Sequence, residues 1–210
     1  MANISNPNGF VPLRMLGGGD WKGLVRTYYV PASDGTAIYV GDVVKHNSTG
    51  GAAGTSAYGN NTEGMPSVIR VSGGTTGQDI VGVVVGFSPD PDNLMRKHRA
   101  ASTLRLVRVC PVDGVIFEAQ EDAVTTPIAV TMLGSNFAFT TTAGSAVTGV
   151  SAMAIDSDSN NTTSTLPLRV LRLVPRVGNA LNAAGAGSDP ARYEVMFNTS
   201  LHAQNISGLA

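Results

Sequence analysis

The sequence predicts an all-β fold in a single domain. The expected architecture is a jelly-roll-like β-sandwich or barrel, with an extended N-terminal arm and long polar loops. Three observations carry this prediction. Short apolar runs rich in Val, Ile, Tyr and Phe recur along the chain. Turn signals built from Gly, Pro, Asn and Asp separate them, at a spacing that fits roughly eight to ten strands. Charged residues are only 14% and glycines number 25, a composition poor in helix formers and rich in turn formers. With 210 residues and 42% hydrophobic content, the chain can bury one substantial core. The expected division is an arm over 1–23, a β-domain over 24–198 and a polar tail over 199–210.

The arm shows no period. Asn6-Pro7-Asn8-Gly9 forms a turn, and Phe10, Val11, Leu13, Met15 and Leu16 then bring apolar weight. Gly17-Gly18-Gly19-Asp20 precedes the only tryptophan, Trp21. Two readings stand open: a terminus folded back on its own core, and an arm reaching a neighbouring subunit. Leu24–Pro31 reads as a strand, and Ser33-Asp34-Gly35 as a turn. Ala37–Val40 and Asp42–Lys45 read as strands joined by a tight turn or bulge at Gly41-Asp42. The loop Asn47–Gly64 is long and polar, with Tyr58 its one aromatic residue. Pro66–Ser72 is a further strand.

The chain is organised around Asp79–Asp122. Ile80–Phe87 (IVGVVVGF) is apolar on both faces, as a central strand covered on both sides would be. Leu104–Cys110 and Val115–Gln120 are parted by Pro111-Val112-Asp113-Gly114, which predicts a hairpin with Ile80–Phe87 beside it. Between them, Asp92 or Asn93 could cap one or two helical turns. The basic run Arg96-Lys97-His98-Arg99 reads first as a solvated loop, and second as a contact for an acidic patch on a partner. Further strands are expected at Ile128–Leu133, Phe137–Thr142, Ala146–Ile155, Leu168–Val174 and Arg192–Asn198. Polar or flexible loops are expected at Asp156–Thr165 and Gly178–Pro190.

LRLVRVCP at Leu104–Pro111 and LRVLRLVP at Leu168–Pro175 share one pattern. In a regular strand Arg105 and Arg108 face opposite ways, as do Arg169 and Arg172. A bulge shared by both strands is one account of the pattern. An arginine whose stem covers apolar surface at a rim is the other. The flanks do not match, so no duplication is read from it.

No catalytic set emerges, and the chain is not expected to be an enzyme or to carry a cofactor. His46, His98 and His202 lack metal-ligand spacing, and no metal site is expected. Asp90, Asp92 and Asn93 read as a Pro-Asp turn, since the Gly and distal Glu of a calcium loop are missing. Glu118, Glu121 and Asp122 read as a solvated strand end that discourages edge pairing. Cys110 reads as a small buried hydrophobe, and a lone cysteine excludes an internal disulfide. A net charge of −1 argues against general nucleic-acid binding. No apolar run is long enough to cross a membrane, and no signal peptide is read at the N-terminus.

Five stretches carry a likeness: MANISNPNGFVPLRMLGG at 1–18, TYYVPASDGTAIYVGDVVK at 27–45, GVVVGFSPDPDNL at 82–94, AASTLRLVRVCPVDGVIFEAQED at 100–122 and LPLRVLRLVPR at 166–176. In pattern and order they resemble the capsid cement, or decoration, proteins of tailed bacteriophages. The resemblance implies a virion protein, made in the bacterial cytoplasm, that binds the outer capsid surface and clamps neighbouring major capsid subunits. It implies a homo-oligomer, dimer or trimer, at local symmetry axes. By that logic Phe10, Leu13, Met15 and Trp21 of the arm, and Arg105, Arg108, Arg169 and Arg172 of the arginine strands, are the expected interface residues. The alternative is a virion fibre or carbohydrate-binding β-module, for which exposed loop aromatics would be the mark.

Overall fold

The computed structural model describes residues 3–47, 65–74, 80–122, 126–181 and 190–200. Most of the loop 47–64 with its Tyr58, most of the loop 178–190, His202 and the tail from 201 lie outside them. Among the described residues, eleven strands form two antiparallel sheets packed as a sandwich. They are β1 (Val11–Met15), β2 (Arg26–Val30), β3 (Val43–His46), β4 (Val68–Arg70), β5 (Ile80–Phe87), β6 (Arg105–Pro111), β7 (Val115–Gln120), β8 (Asn136–Thr140), β9 (Ala154–Asn161), β10 (Leu168–Leu173) and β11 (Arg192–Phe197).

One sheet has five strands in the order β2-β6-β5-β3-β4. The other has six, β1-β7-β11-β10-β8-β9. Leaving out β1, the second order is the first with five added to each strand number. The likeness extends further. A parallel bridge, Tyr29 to Ser67, draws β2 toward β4, and a parallel bridge from Glu121, just beyond β7, reaches Ile155 of β9. Both sheets therefore curl in the same way, and neither closes into a barrel. The chain completes the five-stranded sheet before starting β7, unlike a jelly roll, in which successive strands alternate between sheets. The two echoing strands, β6 and β10, are not equivalents in this repeat, since β6 corresponds to β11 and β10 to β5.

The central-strand expectation for Ile80–Phe87 holds. Neighbouring residues divide between two clusters. Val43, Val83 and Cys110 face the six-stranded sheet, joining Phe117, Phe137, Val170, Tyr193 and Phe197. Val44, Val84 and Val109 face the other way, with Tyr28, Val30, Ile38 and Val107. Ordinary strand alternation sends adjacent residues to opposite faces, and along β5 the alternation is interrupted twice, where its register slips against β3 and again against β6. Phe10, Phe117, Phe139 and Phe197 pack edge-to-face or tilted within the larger cluster, in pairs with ring centroids 5.2 to 6.4 Å apart.

Several expectations need correction. β6 and β7 are not a hairpin: β6 pairs with β2 and β5, whereas β7 pairs with β1 and β11. The turn at Gly114 forms with φ +73°, but Val112 in that turn is 3% exposed and points into the space between the sheets. Burying it carries the chain across rather than back. Ile128–Leu133 is a 3-10 turn at Val130–Met132 instead of a strand. The strand expected at Ala146–Ile155 begins at Ala154 and runs on through Asp156–Asn161, which had read as loop. Ala37–Val40 makes only isolated bridges, from Ile38 to Arg99 and from Val40 to Val150. The tight turn at Gly41 does form: Asp42 N–H donates to the Tyr39 carbonyl, with Gly41 at φ +94°. Nor is the arm separate from the domain, since its β1 pairs with β7 along one edge of the six-stranded sheet.

Candidate functional site

Of the arm residues, Phe10 is 1% exposed and packs edge-on against Phe139 and tilted against Phe197. Its side chain is spent on the protein's own core, which corrects its expected place at an interface. Met15 and Trp21 are half-buried and pack on the same cluster. The Trp21 Nε1 is buried, and the side chain interacts with the Cys110 thiol. Leu13 is exposed and lies at a bulge in β1. Its exposed neighbours are Val11 and Leu16, and Leu24 and Val25 follow beyond Trp21. This stretch crosses from edge strand β1 of one sheet to edge strand β2 of the other. Burying such side chains against a partner is favourable at about 25 cal/mol per Å² of apolar area.

The arginine strands divide. β6 pairs with β2 in unbroken register, so Arg105 and Arg108 lie on opposite faces. Arg108 is exposed. Arg105 is not: its Nε donates to the Ser88 carbonyl at 2.9 Å, Nη1 donates to the His98 carbonyl, and its guanidinium lies 5.2 Å from the Phe87 ring centroid. That is a loop anchor, and Arg105 leaves the expected interface. In β10 the register shifts between Val170 and Arg172. The bulge turns Arg169 and Arg172 to the same side, away from the core. A bulge thus explains the second arginine pair and not the first.

That outward side of the six-stranded sheet carries a charge network. Glu118 of β7 and Glu194 of β11 stand opposite each other in register. Two carboxylates so placed repel, and four arginines neutralise them. Arg14 of β1 and Arg172 of β10 each take one oxygen of Glu194, Arg172 at 2.9 Å. Arg176 and Arg192 share Glu118 at 3.0 and 3.4 Å. Arg192 also donates to the Asn6 carbonyl and to Asn8 Oδ1, tying the chain's start to the same face. Arg169 donates through Nε to Asn136 Oδ1 at 3.2 Å. Contact with Glu194 raises the pKa of Arg172, keeping it charged. Of this network, the sequence pointed to Arg169 and Arg172 as interface residues and to Glu118 only as part of a solvated strand end. The signal for the rest was present: Arg192 and Glu194 alternate with apolar residues in β11, and Glu118 does so in β7. What was missing was the register that aligns them.

The remaining polar candidates are structural. Arg99 is fully buried and donates to the carbonyls of Pro31, Asp34, Thr36 and Thr103, with an ion pair to Asp34 at 3.3 Å. Arg96 pairs with Asp90 at 2.9 Å, and His98 stacks on Tyr39 with centroids 5.1 Å apart. The basic run is therefore an insert pinning loops over the smaller core cluster, in place of a solvated loop. Asp90 Oδ1 accepts from Asp92 N–H at 3.0 Å, the expected turn. Glu121 is 2% exposed and accepts the N–H groups of Ala191 and Ile128, and burial raises its pKa. The strand end it belongs to is thus no solvated edge. Asp42 is buried under Arg70, Ser151 and the Tyr39 N–H, and burial raises its pKa too. Among the described residues, no group of three or more His, Cys, Asp or Glu is placed to hold a metal ion, and no helix is long and apolar enough to cross a membrane.

No protein-family model, curated protein or solved structure matches the chain.

Proposed function

We propose that the protein is a structural virion component that binds the outside of a phage capsid and stabilises it by clamping neighbouring major capsid subunits. The observation that carries the reading is the apolar edge formed by Val11, Leu13, Leu16, Leu24 and Val25, which are 37 to 53% exposed within one stretch. A partner surface laid along the stretch that joins the two sheet edges would bury these side chains together. The curled sandwich behind the edge supplies rigidity, with Phe10, Met15 and Trp21 fastening the stretch to the core. A homo-oligomer over a local axis of the shell would then touch several capsid subunits at once. Many weak contacts made together give strong overall attachment. The work is mechanical, and the resemblance over five stretches of the chain points the same way.

The test is co-sedimentation of the purified protein with mature capsids that lack it. Saturable binding at a fixed ratio to the major capsid protein is expected, and the ratio identifies the axis occupied. Replacing Leu13 and Leu24 together with Asp should abolish binding while the protein stays folded. A folded wild-type protein that never binds capsids removes the reading.

A further inference from the structure

We infer that the outer face of the six-stranded sheet is the surface that meets the shell, and that it docks on an acidic patch of the capsid protein. This inference rests on the capsid reading above and names the partner's chemistry. The face carries Arg14, Arg169, Arg172, Arg176 and Arg192 over Glu118 and Glu194. Around β1, β7, β11 and β10 these five positive and two negative charges leave three positive, whereas the β9 edge of the same sheet is acidic, with Asp156 beside Asp122 and Asp158. The whole chain is −1, so the remainder carries a net −4.

Depth separates the two signs. The side chain of Glu194 is 2% exposed and that of Glu118 is 12% exposed, whereas Arg14, Arg172 and Arg176 are 34, 49 and 47% exposed. An approaching partner therefore meets guanidinium groups, with the carboxylates beneath them. Each guanidinium is a planar fork of five N–H donors, so one edge can hold a carboxylate of this chain while another meets a carboxylate of the partner. The buried glutamates also hold the forks in place, which lowers the entropy lost on docking. The positive field is local. A long polyanion such as duplex DNA would run beyond it onto negatively charged surface, whereas a compact carboxylate patch would not. The face is continuous with the apolar edge, because β1 supplies both Val11 and Leu13 to the edge and Arg14 to the face.

The experiment compares wild type, Arg172→Gln/Arg176→Gln and Arg108→Gln in co-sedimentation with DNA-free capsids over a range of salt. Arg108 is exposed on the other sheet and serves as the control. Binding of wild type should weaken as salt rises. The double variant should bind about tenfold less tightly, with a flatter salt dependence, and Arg108→Gln should match wild type. Melting curves check that the variants are folded. Should the double variant melt, Arg176→Gln alone replaces it, with a smaller loss expected. Wild-type affinity and salt slope in a folded double variant would overturn the inference and leave the capsid reading standing. An equal loss in Arg108→Gln, or tighter retention on duplex DNA than on shells, would overturn it as well. A wild type that binds no capsid at all overturns the capsid reading and the inference together.

Discussion

Phe10→Ala is the sharpest probe of how the N-terminal segment is used. A free arm would tolerate the change, whereas a segment built into the sandwich would not. The ring is 1% exposed and contacts two aromatic rings, Phe139 at 5.6 Å and 81°, and Phe197 at 5.2 Å and 55°. Truncating a buried Phe costs about 3–5 kcal/mol, from lost transfer energy and the cavity left behind. Aromatic pairs of this geometry add about 0.5–1.5 kcal/mol each beyond their area. The site has little room to collapse, because Gly9 and Gly41 hold the backbone close alongside: a Cβ on Gly9 would lie 2.4 Å from the Gly41 carbonyl oxygen. The upper half of the range applies, about 4–5 kcal/mol. For a chain of this size that lowers the melting temperature by roughly 8–20 °C. Leu13→Ala, at an exposed bulge, should cost no more than about 1 kcal/mol. Urea and thermal melts of the two variants decide the matter. Equal, small losses would refute the docking of this segment in the core.

Arg99→Lys should destabilise the protein by about 3 kcal/mol in urea titrations, since one ammonium cannot serve four carbonyls and a carboxylate from a fully buried site; a near-neutral result would contradict the anchoring role. Burial pushes the Cys110 thiol up to about 12, so it should resist a thiol reagent at pH 8 in the native protein and react in denaturant. Rapid native labelling would show that the cluster opens there. His98 has its pKa lowered by burial, with Arg96 and Arg105 adding to the effect. The folded state thus disfavours its protonated form, and the stability it allows is present above pH about 6.5 and lost as pH falls below that value. His98→Gln should make the decline between pH 7 and pH 5 shallower than in wild type, and a parallel decline would remove His98 from the account.

How legible the fold was in the sequence depends on the range of the interaction. Local patterns showed where β2, β5, β7, β10 and β11 lie, because alternation and β-branched content act within a strand. They could not show which strand is whose neighbour. Pro111-Val112-Asp113-Gly114 has the chemistry of a hairpin turn, yet the burial of Val112 and Cys110 between the sheets sends β7 to the opposite layer. β9 escaped detection because Ser157, Asp158, Asn160 and Asn161 carry no apolar signal. Part of its support comes from Asp122, whose Oδ1 accepts from Ser157, an attachment across the sheet. The internal repeat is one of strand order, and the echo of LRLVRVCP and LRVLRLVP falls on strands that are not equivalent. The charge network follows the same rule: each arginine was visible alone, and only the registers of β1, β7, β10 and β11 bring four of them onto two glutamates.

The most direct measurement is an electron cryomicroscopy map of capsids reconstituted with the protein. Density is expected on the outer surface over local symmetry axes, with the six-stranded sheet turned to the shell and Leu13 and Leu24 buried at contacts. Capsids without added density, or copies bound with the five-stranded sheet inward and the arginine face open to solvent, would contradict it.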